Sequence, residues 1–456
     1  MADTTSVLKP KLTTFDTSMI VVSLVIGIGI FRTPALVATH TGSMLLFFTA
    51  WILGGVISLM GALTFAEIGS RYPQPGAFYK VVAEFYHPSI AFMLNYTSVT
   101  IVNGVGGAAV GMIGAEYLVN VLFPPEGRNP FTTQCTAAGL TIVLLGINYL
   151  GIKTGAWAQN VLTILKIVMV VSLIGAALSF GNADASSLPV QSSDSSLLLA
   201  LGIGLISVFY TYGGYQQSIN FGADIQNPSR NMPRAIFIGI AIIVGIYILI
   251  NACYVYVLGM QGVASSQLVA GELARVVLGG RGQTIISVAI FLSSMGFLNV
   301  TLMTIPRAYY AMAADGTIPR SFMQVNPRTQ TQEFTLLFFG GIIVLSIFLL
   351  GTFERLMNYV MLFDSINIAI VASTVFVLRA RRIGESGEPY KAPLYPILPA
   401  LFIVMLLAIT VNVVLSQPGS VWVGLLFLLG GYPLFRVLRF FNDERGPEGP
   451  RSQKED

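Results

Sequence analysis

Charge is what this chain has least of. Only 10% of its 456 residues are Asp, Glu, Lys or Arg, and 54% are hydrophobic. A soluble domain carries about 25% charged residues. Water is therefore a poor solvent for this surface, and a lipid bilayer is a good one. Histidine and cysteine are nearly absent as well. Two histidines, His40 and His87, leave little for a histidine metal site, and Cys135 and Cys253 make no disulfide framework. No HExxH or CxxC pattern occurs. No cofactor and no metal are expected. A net charge of +4 does not indicate a nucleic-acid partner.

Long apolar runs are what the chain has instead. Twelve are long enough, at roughly 17–25 residues, to cross a bilayer. They are 17–39, 44–68, 90–123, 134–150, 157–180, 197–221, 236–258, 284–312, 334–350, 356–378, 397–415 and 421–440. The third and eighth are long, and are expected to tilt or to extend past the lipid. The first is too long for a secretory signal peptide and lacks a small-residue cleavage site. Twelve spans put both termini on one side, and Lys and Arg decide which side. With cytoplasmic termini, only Arg32, Arg128, Arg275, Arg281 and Arg355 fall outside, while Lys166 lies within the fifth run. The expectation is a multi-pass protein of the cell membrane, bounded by a cytoplasmic segment 1–16 and a disordered cytoplasmic tail 441–456. Between the runs, Asn182 to Ser196 has the composition of a solvated outer loop. Ser265 to Gly280, with Leu268, Leu273, Val276 and Val277, is expected to form an amphipathic surface helix.

Two spans are interrupted. The first contains Gly27-Ile28-Gly29-Ile30-Phe31 followed by Pro34, and the sixth contains Tyr210-Thr211-Tyr212-Gly213-Gly214-Tyr215. Glycine weakens a helix interior and lets backbone approach a ligand. They are five spans apart, as matching helices of two five-span repeats would be. A broken helix offers free amides at one start and free carbonyls at the other end. Amides and a positive dipole end suit a carboxylate, and carbonyls suit an ammonium group. Two such breaks could hold an α-amino acid by backbone alone. Glycine also serves close helix packing in membranes, which accounts for part of the pattern equally well.

Four motifs in order carry a family resemblance. Val25-Ile26-Gly27-Ile28-Gly29-Ile30-Phe31 resembles the first-span signature of the amino acid–polyamine–organocation superfamily. Ala66-Glu67-Ile68-Gly69-Ser70-Arg71-Tyr72-Pro73, with Gly76 and Tyr79, resembles the loop after its second span. Tyr212-Gly213-Gly214-Tyr215 and then Asn227 to Ile236 resemble span six and its exit. Gly296-Phe297-Leu298-Asn299, Arg307 and Asp315-Gly316-Thr317-Ile318-Pro319 resemble span eight. The Tyr-Gly-Gly-aromatic run and the Gly-x-x-Asn point to the L-type amino acid transporter family.

The resemblance implies an all-α, leucine-transporter-like fold: inverted five-helix repeats at 17–180 and 197–380, then helices eleven and twelve at 397–440. It implies sodium-independent movement of small neutral amino acids, often by exchange, with amino acid and lipid bilayer as the partners; no accessory subunit is indicated. By residue it implies carboxylate binding at the amides of Ile28 and Gly29 and ammonium binding at the carbonyls of Val25, Tyr210 and Gly213. Ile26, Gly27, Thr211, Gly214, Asn103 and Asn299 are candidates for the same site, and Tyr210 for the outer gate. Asp224 stands where relatives often have Glu, Tyr210 where they usually have Phe, and Arg32 where many have a small or apolar residue.

Charges inside spans are costly and carry functional hypotheses by default. Lys166 lies roughly 20 Å along a helix from Lys153. Relatives place a Lys here, beside the first break, where sodium-driven members hold sodium; the alternative is a lysine snorkelling to the inner surface. Asp364 has several readings: contact with a cationic substrate, a pair with Arg32, a proton carrier, or a carboxyl bonded to neighbouring helices. Arg32 either clamps a carboxylate at the outer mouth or reaches outer water. Glu67 and Glu116, near span ends, suit a surface or loop-pinning role. Asn103 with Gly104, Gly106 and Gly107 lines the pocket or packs helices tightly, and Cys135 is expected to be a free outer thiol.

An enzyme is not expected: Phe221-Gly222-Ala223-Asp224 lacks the first glycine of the intramembrane aspartyl protease motif. A channel would need a continuous polar lining or rings of like charge. A proton-coupled amino acid symporter is the nearer alternative to an exchanger.

Overall fold

A computed structural model of the chain describes residues 10–27, 29–180, 197–266, 268–349, 354–385, 389–416 and 418–444. Among these residues the structure is helical, with two isolated bridges, Leu12 to Ile225 and Pro75 to Phe221. The α-helices are α1 (Thr14–Val25), α2 (Gly29–Thr41), α3 (Met44–Arg71), α4 (Ala77–Phe85), α5 (Pro88–Thr97), α6 (Gly106–Leu122), α7 (Pro130–Tyr149), α8 (Ile152–Phe180), α9 (Leu197–Tyr212), α10 (Pro228–Ser265), α11 (Val269–Leu278), α12 (Gly282–Ala314), α13 (Glu333–Leu349), α14 (Glu354–Ala380), α15 (Ile397–Ser416) and α16 (Pro418–Glu444).

Local chemistry sets several starts. Thr13 caps α1 in a reciprocal box with Asp16. α7 begins with Pro130 behind an Asn129 cap, where a missing amide does no harm. Six helical stretches among the described residues are long and apolar enough to cross a membrane, and the bent pair α1 and α2 makes a seventh. α13 is apolar but shorter. The chain is thus a multi-pass helical membrane protein.

The first span is two helices meeting at 44°. The sixth departs from a plain two-part helix: α9 stops at Tyr212, and a 3-10 turn, Tyr215–Asn220, follows instead of a second α-helical half. Gly214 turns the chain with φ +114°, and a Cβ there would lie 2.3 Å from the Leu24 carbonyl oxygen, so only glycine fits. The third span is interrupted too, by a π-helix at Ser98–Val105. The seventh runs farther than 236–258, as α10, and kinks at Gly259. The amphipathic segment after it is α11, whose Val269, Ala270, Leu273 and Ala274 are buried against α2, α10 and α12, whereas Val276 is exposed. α16 continues to Glu444, so helix covers residues 441–444 of the expected tail; residues 182–196 lie outside the described residues.

α10 packs on α1 and α3, α9 on α2 and α3, and α12 on α6 and α8. Trp51, Tyr212 and Tyr247 form an aromatic knot at the centre, with ring centroids 5.0–5.9 Å apart. Edge-to-face rings bury large area with few rotatable bonds.

Candidate functional site

The ends of α1 and α9 meet beside the start of α2. α1 ends at Val25, and the chain leaves the helix at Ile26. α2 restarts at Gly29, and its first turn presents amides that have no acceptor inside the helix. A Cβ on Gly29 would lie 3.1 and 3.2 Å from the Thr211 Cγ2 and Oγ1. Gly29 is therefore one of the points at which α2 packs closely on α9. The Thr211 hydroxyl donates to the Ser207 carbonyl and lies 2.9 Å from Thr33 Oγ1, whose hydroxyl can donate to it. Ile28, a candidate amide donor, lies outside the described residues.

Several of the expected carbonyls already have partners. Val25 O accepts from Gly27 N at 2.7 Å, and Tyr210 O from Gly213 N at 3.2 Å. The Tyr247 hydroxyl, on α10, donates toward Val25 O at 3.1 Å and lies 3.4 Å from Thr211 O. One phenol thus bridges the carbonyl ends of both broken helices. Sequence reasoning missed Tyr247, because a tyrosine in an apolar helix looks like any buried aromatic.

Lys166 is buried, not snorkelling. Its ammonium donates to Ile26 O at 2.6 Å and lies 3.4 Å from Ser23 Oγ. Ser293 Oγ, on α12, reaches the same Ile26 carbonyl. Gly296 makes room: a Cβ there would sit 3.3 Å from the Lys166 Nζ. The chain end of α1 is therefore held by an ammonium, and two serines stand around it.

Other candidates lie apart from the break. Asn299 is fully buried, but its side chain bonds Asn148 and Gln159 and reaches the Gly155 carbonyl, tying α12 to α7 and α8. Asn103 donates to Ser98 O and Ser98 Oγ and so satisfies the loosened π-helical turn. Tyr210 reaches neither Asn103 nor Arg32 in its described contacts; its hydroxyl bonds Ser365 on α14, near Asp364. Asp364 itself lines a small gap with Thr97, Ser98 and Asn367, and it forms no described ion pair with the exposed Arg32.

Several contacts cluster on the side of the chain start. Asp224 O accepts from Lys11 N and Leu12 N, both at 2.8 Å. The Asp224 carboxylate pairs with Arg307, which stacks over Phe221, and Lys80 pairs with Asp315. Burial, and then Glu84, which accepts from the Tyr72 hydroxyl, push that phenol above its usual range. Glu67 is fully buried, not at the surface. It holds Arg71, Arg379 and the Ala392 amide, pinning the segment that leads to α15. Glu116 and Cys135 are exposed, the latter as a free thiol.

Comparison with known proteins agrees with this architecture. The amino acid permease family matches residues 12–431. The serine/threonine exchanger SteT of Bacillus subtilis is 26% identical over 91% of this chain and 94% of its own length. The human b(0,+)-type amino acid transporter 1 is 27% identical over 92% of this chain and 87% of its own. The human cystine/glutamate transporter is 26% identical over 94% and 85%. With two helix breaks joined by one phenol, a lysine at the first of them and a match spanning nearly the whole chain, the protein belongs to the amino acid permease family of the amino acid–polyamine–organocation superfamily, within which it is most like the L-type transporters.

Proposed function

We propose that the protein exchanges small neutral L-amino acids across the cell membrane by alternating access, without sodium. Its twelve spans would form inverted five-helix repeats and two further helices, with both termini cytoplasmic. The observation that carries the reading is the Lys166 ammonium on the Ile26 carbonyl. An ammonium at the end of the first half-helix would take the place where a transported cation would otherwise be needed.

The substrate carboxylate binds the amides at the start of α2, with Gly29 giving the close approach and Ile28 beside it. The substrate ammonium takes the remaining lone pairs of Tyr210 O and Gly213 O, next to Val25 O. Each carbonyl has two lone pairs, so an accepted amide leaves one for the substrate. Ile26, Gly27, Thr211 and Gly214 shape the surrounding backbone, and the Tyr210 ring closes over the outer side. Asn103 and Asn299 act from farther out, holding span three and α12. The paired Asp224 and Arg307 would hold the inner side shut for part of the cycle. A small side chain is favoured by the named activity of the serine/threonine exchanger, whereas the cystine/glutamate transporter is named for larger ones.

The test is uptake of radiolabelled serine into proteoliposomes, either empty or preloaded with unlabelled serine, in sodium or choline. Preloading should raise the initial rate several-fold, and choline should leave it unchanged. Competition by the twenty amino acids at varied pH then assigns the side chain. Uptake into empty vesicles that follows an imposed proton gradient would instead establish the symporter, for which the carboxyl of Asp364 inside α14 is the nearest candidate.

A further inference from the structure

Where α10 begins, a cavity of about 630 Å³ opens between α3, α10 and the segment before α15. Its walls are Leu63, Ser229, Arg230, Pro233, Arg234, Phe237 and Tyr390. Both arginines are exposed, and among the described residues neither forms an ion pair or a side-chain hydrogen bond. This sets them apart from Arg71, Arg307 and Arg379 nearby, each of which has a carboxylate.

The exposed face of α10 above them is apolar without interruption. Phe237 is 54% exposed, and Ala241, Gly245, Leu249 and Tyr256 continue the same stripe toward the far end. Residues four apart share a helix face, about 6 Å apart along the axis. Arg230 and Arg234 therefore stand one turn apart at the lower edge of a surface built for acyl chains. That is the depth of the headgroups. Leu63 and Phe237 give the cavity an apolar side, which a soluble anion would not need.

We propose that this cavity binds the phosphate of an acidic phospholipid in the leaflet on the side of the chain start. The two guanidiniums take the phosphate and the Phe237 side takes the upper acyl chain. Guanidinium and phosphate match in fork geometry, and each basic residue near a membrane surface contributes measurably to anionic-lipid affinity. The quaternary ammonium of a zwitterionic headgroup would add a third positive charge beside the two guanidiniums.

Native mass spectrometry of the full-length protein, equilibrated with an equimolar mixture of phosphatidylglycerol and phosphatidylcholine, reads the site directly. The wild type should retain phosphatidylglycerol in preference. Arg230→Gln with Arg234→Gln should cut that preference by about thirtyfold while the melting temperature is kept. Arg436→Gln with Arg439→Gln, exposed on α16, makes the same change in net charge and should keep the preference. An unaltered preference in the first double variant, or an equal loss in the second, overturns the proposal. Displacement of the lipid by millimolar inorganic phosphate overturns the lipid assignment and leaves a soluble-anion site. Lipid retention does not depend on which amino acid is carried, so this result stands or falls apart from the transport assay.

Discussion

The Nζ of Lys166, in the middle of α8, lies 2.6 Å from the carbonyl oxygen of Ile26, the residue that caps the end of α1. An ammonium so placed both satisfies an orphan carbonyl and neutralises the negative end of the half-helix. Lys166→Ala should therefore lower turnover by roughly tenfold, the scale of one lost charged hydrogen bond. Initial rates in proteoliposomes, with protein folding checked by thermal unfolding, would measure this. A variant with wild-type turnover would remove Lys166 from the transport cycle.

Gly29 and Thr211 make a second test. Gly29→Val drives side-chain carbons into Thr211, which a Cβ already approaches at 3.1 Å. Transport should be abolished and α2 displaced from α9. Gly29→Ala should be milder, and Thr211→Ser should partly rescue it, because the crowding methyl is gone. No rescue would mean that the alanine acts by blocking the ligand instead of by moving α2.

Tyr247→Phe removes the hydroxyl between Val25 O and Thr211 O and keeps the ring against Trp51 and Tyr212. The stability loss should be about 1 kcal/mol, one hydrogen bond. The larger effect should fall on apparent substrate affinity, since both helix ends lose their shared donor. Stability lost with affinity kept would reduce Tyr247 to a packing residue.

Tyr210 should divide by substitution. The Phe variant keeps the ring and loses the hydroxyl with its bond to Ser365, so most uptake should survive. The Ala variant cannot cover the site and should lose most uptake without a matching fall in melting temperature. Equal inactivity of the two would make the hydroxyl essential and the ring incidental.

Glu67→Gln should be the most destabilising of these changes. It leaves Arg71 and Arg379 beside a neutral amide in a fully buried position, and breaking such a pair costs about 3–5 kcal/mol. A shift in unfolding midpoint of under 1 °C would show that water replaces the carboxylate.

Much of this architecture was legible in the sequence, and the failures have physical causes. The interruption of the first span follows from Gly27 and Gly29, since two glycines a single residue apart weaken a helix interior at one point. The burial of Lys166 follows from its distance from either end of its helix. Tyr247 was silent because its importance lies in what folding brings to it, two carbonyls that are 36 and 222 positions away in sequence. Asn299 showed the opposite fault. Its Gly-x-x-Asn motif drew attention to the break, while its side chain is spent on Asn148 and Gln159. Motif membership says that a residue matters and does not say to what it is bonded.

The π-helical stretch Ser98–Val105 has a consequence for insertions and deletions. A wide turn accommodates a surplus residue, and each residue rotates a helix by about 100°. That surplus sets which way everything beyond it faces. Below it, α5 meets α16; above it, Gly107, Gly111 and Gly114 of α6 lie against Leu298, Ser294 and Met295 of α12. Deleting one residue between Ser98 and Val105 would let the stretch relax to ordinary α-geometry. The glycine seam would then swing off α12 and present larger side chains in its place. Length here is as constrained as residue identity, and a substitution scan alone would not reveal it.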